Sequence, residues 1–181
     1  MDGEKGGSDR YPGDLECRIT LSNRRQLRIR PLRPDEDGPV RELDAHLSTR
    51  SRYLRFLSPM PALPESVVRL LATVDDRRQV SLVAESDAGD RHEVIALGSF
   101  GAIDHGTVEL GLVVRDDWQH QGVGTALAAR VLQAAEDRGF NRFVVHLLSE
   151  NTLIRRLLKR LGDVISTTTR HGVSEVTFVR R

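Results

Sequence analysis

The chain contains a single cysteine, Cys17, among its 181 residues. One cysteine cannot build an internal disulfide framework, so the composition favours a reducing compartment, with the cytoplasm as the expected location. No apolar run is long enough to cross a bilayer, and the polar start MDGEKGGSDRYPGD has no apolar core of a signal peptide. We therefore expect no role for a membrane.

An excess of charge of one sign is also missing. The 27 Lys and Arg residues against 26 Asp and Glu residues leave a formal net charge of +1, which provides no general basis for nucleic-acid binding. The six histidines are scattered along the chain, and none of them is paired at a metal-ligand spacing. We therefore predict no metal site, and we keep His105 and His146 only as weaker candidates for substrate-side groups.

Length and composition favour one folded domain. Apolar residues make up 39% of the 181 residues, which is enough for a sizeable core. Residues 1–14 are polar and rich in glycine, and we predict a disordered tail there, followed by one domain over 15–181. Helices that alternate with strands, some of them in antiparallel meanders, indicate an α/β sandwich with a mixed sheet.

Apolar periodicity and turn residues predict the individual elements. Helix starts are expected at 34–37 and at Pro64, and an apolar cluster at 53–57 has no clear element type. The expected strands are 18–21, 26–30, 80–85, 94–103, 107–114, 143–148, 164–169 and 173–179, and the later helices are 122–138 and 151–161.

The stretch 108–125 carries the strongest functional signal. An apolar strand is followed by a short polar turn and by two glycines, Gly122 and Gly124, that open an amphipathic helix. Free N–H groups at the start of a helix attract phosphate or pyrophosphate, and glycine lets the backbone approach it closely. A plain strand-to-helix turn is the alternative. A Walker loop is disfavoured because no lysine follows the second glycine. A dinucleotide-binding loop is disfavoured because Leu127 stands where the pattern G-x-G-x-x-G has its third glycine.

The segment from Gln119 to Gly124 fits the pattern Gln/Arg-x-x-Gly-x-Gly/Ala and resembles the pyrophosphate loop of the GNAT superfamily of N-acetyltransferases. The resemblance covers roughly residues 26–180. It implies a single-domain, mostly antiparallel sheet with flanking helices, in which the strand ending at the loop and the strand beginning near Arg142 splay apart. The pantetheine arm of acetyl-CoA would enter that opening. The implied cofactor-binding residues are Leu112, Val113, Val114, Gln119, His120, Gln121, Gly122, Val123, Gly124, Thr125 and Asn151.

Glu109 is the candidate general base. Acetyl transfer to an amine needs a neutral nucleophile, and a nearby carboxylate can take the proton directly or through water. Glu109 lies between Val108 and Leu110, so in a regular strand its side chain faces away from theirs. Superfamily members commonly carry a glutamate here. We expect burial to raise the pKa of Glu109 toward the range that is useful for a base. A solvated or salt-bridged strand carboxylate is the alternative.

Two positions near the next helix bear on the leaving group. Asn151 heads that helix as an expected N-cap, and the resemblance implies a contact with pantetheine as well. Many superfamily members have a tyrosine seven residues later that protonates the departing thiolate, but this chain has Leu158. Either the thiolate leaves without a protein acid or another group supplies the proton.

A narrower resemblance lies in the pattern Ser51-x-Tyr53-x-Arg55-Phe56 together with residues 113–119. Both look like the acetyltransferase domain of bacterial protein lysine acetyltransferases of the Pat type. We therefore expect an acetyl-CoA-dependent N-acetyltransferase in which an amine, either a protein lysine or a small molecule, attacks the thioester in a ternary complex. A drug or metabolite acetyltransferase and a non-catalytic acyl-CoA-binding module are the alternatives, and both a monomer and a homodimer remain open.

Overall fold

The computed structural model describes residues 11–75, 77–88 and 91–181. Within these ranges the chain forms one eight-stranded sheet, in the order β1-β2-β3-β4-β5-β6-β8-β7, and five helices. The strands are β1 (Cys17–Thr20), β2 (Gln26–Pro31), β3 (Gln79–Ala88), β4 (Arg91–Ala102), β5 (Thr107–Val114), β6 (Arg142–Leu148), β7 (Gly162–Arg170) and β8 (Val173–Arg180). The helices are α1 (Gly38–Ala45), α2 (Thr49–Phe56), α3 (Glu65–Ala72), α4 (Val123–Glu136) and α5 (Thr152–Leu161).

The sheet opens between β5 and β6, the parallel pair at its centre. These strands pair at three positions, Thr107 with Arg142, Val108 with Phe143 and Glu109 with Val144. Beyond Glu109, β5 remains paired with β4 up to Val114, and β6 remains paired with β8 up to Leu148. We call 107–109 the closed segment of β5 and 110–114 the open segment, and the wedge between the open segment and residues 145–148 is the gap. The expected splay of the central strands is confirmed.

Two hydrophobic cores hold helices against opposite faces of the sheet. On one face lies the main core, in which Leu127 and Val131 of α4 pack over β4. The packing is so close that a Cβ at Gly98 would lie 2.8 Å from Val131 Cγ2. On the other face, α1 and α3 enclose a second core that contains Leu43 and Val113. The sheet thus separates two layers of helices, and each layer can supply a different part of a site at the gap.

Most expected elements appear within a few residues of their predicted bounds, including both hairpins and the β3–β5 meander. The helix expected at 34–37 begins later, at Gly38, because Asp35 adopts a left-handed backbone with φ 60° that an α-helix cannot include. The unassigned cluster at 53–57 forms the end of α2 and its C-cap, Leu57, and the N-terminus of this helix is capped by the Ser48 side chain.

The predicted tail is only partly testable, since residues 1–10 lie outside the described ranges. Residues 11–14, which the sequence analysis assigned to the tail, contact the rest of the chain in the structure. The Tyr11 hydroxyl donates to the Glu16 carboxylate, and Arg130 of α4 donates to the carbonyl oxygen of Asp14 at 2.7 Å. Leu15 is fully buried in the main core. These contacts fasten the start of the described chain to α4.

No helix in the described part of the chain is both long and apolar enough to cross a bilayer.

Candidate active site

A turn with left-handed residues joins β5 to α4. After a short 3-10 turn over Asp116–Trp118, His120 has φ 60° and Gly122 has φ 90°. The first helical hydrogen bond runs from the Ala126 N–H to the Gly122 carbonyl, at 3.0 Å. The N–H groups before Ala126 therefore have no partner inside the helix. They border a cleft that is lined by His120, Gly122, Gly124 and Thr125 among others.

The side chains of the loop are mostly engaged with the protein. Gln119 donates its Nε2 hydrogens to Ser51 Oγ at 3.1 Å and to the Val114 carbonyl at 3.0 Å. Gln121 Oε1 accepts from Asn23 and Arg25, both at 3.0 Å. Gln119, which sequence reasoning offered as a phosphate donor, thus fastens the loop to α2 and β5 instead, and the side chain of Gln121 turns toward the β1–β2 turn.

Val123 also departs from the expected role in binding. Its side chain is only 1% exposed and belongs to the main core. Only the backbone of Val123 is therefore available to a phosphate. Gly124 in the next position faces the open segment, where an added Cβ would lie 3.5 Å from Val114 Cγ2. That is ordinary contact, so the site has room for alanine in the free protein.

The backbone of the open segment alternates between β4 and the gap. The N–H of Arg115 bonds to the carbonyl of Ile95 on β4. Because antiparallel hydrogen-bonded pairs alternate along a strand, Val113 also bonds to β4, while Leu112 and Val114 turn their backbone groups toward the gap. The sequence indicated that Leu112, Val113 and Val114 all bind the cofactor. For Val113 the structure corrects this prediction, because its backbone bonds to β4. The side chain of Val113 is buried in the second core.

Glu109 is the last residue of the closed segment. Its side chain faces away from buried Val108, as strand alternation predicted, and lies on the face that carries α1–α3. The expectation of burial is wrong, because the side chain is 53% exposed. Arg55 of α2 lies over Gly111, two residues further along β5.

Arg55 is a cation within the gap that sequence reasoning missed as a functional residue. A Cβ at Gly111 would lie 1.8 Å from Arg55 Nη2, so only glycine leaves room for the guanidinium there. Arg55 Nε is buried and has no hydrogen-bond partner among the described residues. Burial lowers the pKa of Arg55, and the negative charge of Glu109 opposes this effect. The Ser-x-Tyr-x-Arg-Phe pattern contained the residue, but only the fold brings it over β5.

Asp116 holds α2 in this position. Its carboxylate accepts from the Ser48 N–H at 3.0 Å, from Ser48 Oγ at 2.7 Å and from Ser51 Oγ at 2.8 Å. Burial raises the pKa of Asp116, but these hydrogen bonds outweigh it, so the pKa lies below its ordinary value. The helix that carries Arg55 is thus fastened to the turn that precedes the glycine loop.

His146 links two carboxylates on the face that carries Glu109. Its Nδ1 lies 3.2 Å from Glu109 Oε1, and its Nε2 lies 3.2 Å from Glu175 Oε2. The sequence marked His146 as a weak candidate and did not mark Glu175, because their proximity depends on the register between β6 and β8. In the described residues, no cluster of histidine, cysteine or carboxylate side chains is arranged to hold a metal ion.

A match to a known protein family covers the elements around the gap. The model of the acetyltransferase (GNAT) family matches residues 45–163, about two thirds of the chain. The chain belongs to the GNAT acetyltransferase family. The matched range contains α2, the open segment, the glycine loop and α5, which together surround the gap.

Two curated GNAT relatives are named as acetyltransferases. An acetyltransferase of Pseudomonas aeruginosa is 25% identical over 146 residues, which cover 80% of this chain and 78% of that protein. Acetyltransferase Pat of Mycolicibacterium smegmatis is 31% identical over 147 residues, which cover 75% of this chain but only 40% of that longer protein. The similarity to Pat bears out the narrower resemblance seen in the sequence.

Solved structures agree with the GNAT fold. The GNAT domain of S. lividans PAT superposes with a TM-score of 0.84 at 24% identity, over 94% of this chain and 99% of that chain. A Salmonella typhimurium structure with its cofactor acetyl-CoA superposes with a TM-score of 0.60 at 18% identity, over 84% and 91% of the two chains. At these identities the likeness establishes the fold alone.

Helix α5 forms the far wall of the gap. Asn151 Oδ1 accepts from the Ile154 N–H at 3.2 Å, which confirms the predicted N-cap, and Asn151 also lines the cleft. Leu158 is 4% exposed and borders the apolar interior of the gap beside Leu112. Arg156 and Arg160 line the outer cleft. The inner end of the gap is thus apolar at α5, and its outer end carries positive charge.

Proposed function

We propose that the protein is an acetyl-CoA-dependent N-acetyltransferase that acetylates a primary amine in a ternary complex. The observation that carries this proposal is the gap beside the open segment, with the glycine loop at its outer end and Glu109 at its inner end. Strand β5 runs from a carboxylate that can take a proton toward the loop, where the cleft offers a site for phosphates. The distance along β5 suits a carrier whose charged end and reacting thioester are joined by a long arm.

The donor would bind through the backbone more than through side chains. The free N–H groups at the start of α4, from Gly122 to Thr125, suit the diphosphate. The gap-facing backbone of Leu112 and Val114 suits the amides of the pantetheine arm, in the manner of an added strand. Arg156 and Arg160 supply positive charge at the mouth of the cleft for the phosphates.

The acceptor would approach from the face that carries α1–α3, where Glu109 is accessible. The amine nitrogen attacks the carbonyl carbon of the thioester, a C–N bond forms, the C–S bond breaks and the thiolate departs. The Leu112 N–H is positioned to polarise the carbonyl, and Glu109 takes the proton from the amine. With Leu158 at the wall of the gap, no tyrosine there assists the thiolate, whose moderate basicity allows it to leave unaided.

A protein lysine is our first proposal for the acceptor, and a small amine is the second. The resemblance to Pat favours the lysine, and the half-exposed carboxylates of Glu109 and Glu175 offer an ammonium group an attractive surface. Tyr53, which is 38% exposed on α2, is available to line the approach. We propose the cytoplasm as the location on the basis of the single cysteine, and monomer and homodimer remain alternatives.

The proposal is tested by thiol release from acetyl-CoA in the presence of a panel of amines and acetylatable proteins. We expect thiol release that depends on an amine, together with an acetylated product identified by mass spectrometry. Lysine acetylation in protein substrates but not in free amines would favour the first acceptor class. Tight acetyl-CoA binding without turnover on any acceptor would instead favour a non-catalytic acyl-CoA-binding module.

A further inference from the structure

Three polar side chains form a row across neighbouring strands on the face that carries α1–α3. Glu109 lies on β5, His146 on β6 and Glu175 on β8. Both imidazole nitrogens of His146 are engaged, each 3.2 Å from a carboxylate oxygen. Sheet register produces the row, because Glu109 pairs with Val144, two residues from His146, and His146 pairs directly with Glu175. Side chains two residues apart on a strand share a face.

The row begins at the candidate base and leads away from the gap. Glu109 borders the gap, whereas Glu175 lies two strands further along the sheet and is 53% exposed at its side chain. On the opposite side of Glu109, the charged group is Arg55, whose guanidinium cannot accept a proton. Among the described residues, His146 contacts the Glu109 carboxylate and can accept a proton that reaches it.

We propose that His146 relays the proton that Glu109 takes from the acceptor amine to Glu175, which releases it to water. This inference rests on the proposed function. Imidazole suits the task because one ring nitrogen can accept a proton while the other donates one. The relay matters once acetyl-CoA and the acceptor amine fill the gap. They would then cover the carboxylate of Glu109 and restrict its direct contact with water.

The transfer balances without a further reactant. The bond between the amine nitrogen and its proton breaks, and the proton joins an oxygen of Glu109. Glu109 then passes it to His146 Nδ1 while the proton on His146 Nε2 moves to Glu175. Glu175 loses that proton to water or buffer, and the imidazole returns to its starting tautomer by ring reorientation or by proton exchange with solvent. One proton has moved from the amine to solvent, and nothing has been oxidised or reduced.

The experiment measures kcat of the full chain in buffers of increasing imidazole concentration, at constant pH and ionic strength. We expect His146→Ala to lower kcat by at least about 10-fold at low buffer concentration, and added imidazole to restore it by carrying the proton. The affinity for acetyl-CoA, measured by calorimetry, should not change. Glu175→Gln tests the same path from its exposed end and should lower kcat by a smaller factor.

His92→Ala is the matched control, since His92 is an exposed histidine that pairs with Asp87 and lies beyond the part of β4 that pairs with β5. It should behave as wild type at every buffer concentration. The relay is overturned if His146→Ala retains wild-type kcat, or if its kcat falls and imidazole does not restore it. If the wild-type protein itself acetylates no acceptor, the proposed function fails, which is a different outcome from failure of the relay.

Discussion

The closed and open segments of β5 differ in one respect with large consequences. Both pair with β4, but 107–109 also pair with β6, whereas 110–114 face the gap. Hydrogen bonds on both edges fix the backbone of the closed segment and thereby set the direction of Glu109. The open segment has backbone groups at Leu112 and Val114 that a ligand can use. Glu109, the proposed base, lies where one kind of segment changes into the other.

Arg52 and Arg55, three residues apart on α2, repeat this contrast. Arg52 donates from Nε to Asp44 Oδ1 at 2.7 Å and from Nη2 to the Asp44 carbonyl at 2.8 Å. Arg55 lies over the open segment, and its Nε has no partner in the described structure. Buried polar groups normally have hydrogen-bond partners. Arg52 is therefore part of the scaffold, whereas the unpartnered Nε of Arg55 marks the border of a site that can take a ligand.

The largest expected effect is at the junction of the two segments. Glu109→Gln should preserve acetyl-CoA binding and lower kcat by about 10²–10⁴-fold, because the amide cannot accept the proton. The loss should shrink at high pH, where more of the acceptor amine is already neutral. Steady-state rates across a pH series measure this. Glu93→Gln is the control, since Glu93 is a half-exposed strand carboxylate on β4 that pairs with Arg115. Unchanged kcat in Glu109→Gln would make Glu109 a structural residue.

The arginine pair should separate stability from site chemistry. Arg52→Met leaves the carboxylate of Asp44, only 13% exposed at its side chain, without its cation, and should cost about 3 kcal/mol of the free energy of unfolding. Arg55→Met removes a partly buried cation whose Nε has no hydrogen-bond partner in the described structure, and it should change that free energy by less than about 1 kcal/mol, or raise it. Urea denaturation of both variants tests the contrast. Equal losses would mean that Arg55 is as much a part of the scaffold as Arg52.

The mouth of the gap should be sensitive to negative charge. Gly124→Glu places a carboxylate beside the expected phosphates, and at roughly 6 Å the repulsion is about 3 kcal/mol, or about 10²-fold in Kd. Gly124→Ala is the control, because its Cβ would lie 3.5 Å from Val114 Cγ2 in the free protein, which is ordinary contact. Calorimetry with acetyl-CoA gives both affinities. Wild-type affinity in a folded Gly124→Glu variant would exclude this loop as the phosphate site.

The smallest expected effect is at the wall of the gap. Leu158→Tyr should fold with its hydroxyl directed into the gap and should change kcat by less than about 10-fold, because the thiolate needs little help to leave. Stopped-flow measurement of thiol release tests this. A much larger increase in kcat would mean that departure of the thiolate limits the wild-type enzyme and that Leu158 deprives it of an acid.

Local patterns predicted the parts of the molecule that depend on neighbouring residues. Apolar periodicity, together with turn and cap chemistry, predicts the strand at 107–114, the glycine turn and the Asn151 cap. Strand alternation predicts the direction of the Glu109 side chain. The splay of β5 from β6 was available only through the family resemblance, since no residue in either strand requires it.

The rest of the site depends on contacts between distant parts of the chain. The row that contains His146 and Glu175 arises from strand register, and Arg55 meets Gly111 because Asp116 holds α2 over the sheet. Sequence spacing alone does not specify such contacts. For the same reason, Gln119 resembled a phosphate ligand in the sequence, although its side-chain amide already donates hydrogen bonds to Ser51 and Val114.

Amide hydrogen exchange along β5, with and without acetyl-CoA, tests the central claim most directly, since exchange reports local protection residue by residue. If the donor lies in the gap, its binding should slow exchange at Leu112 and Val114 and at the start of α4. The closed segment should show little change, because its amides are already paired. Slower exchange elsewhere, with the open segment and the glycine loop unaffected by bound acetyl-CoA, would contradict this account of the site.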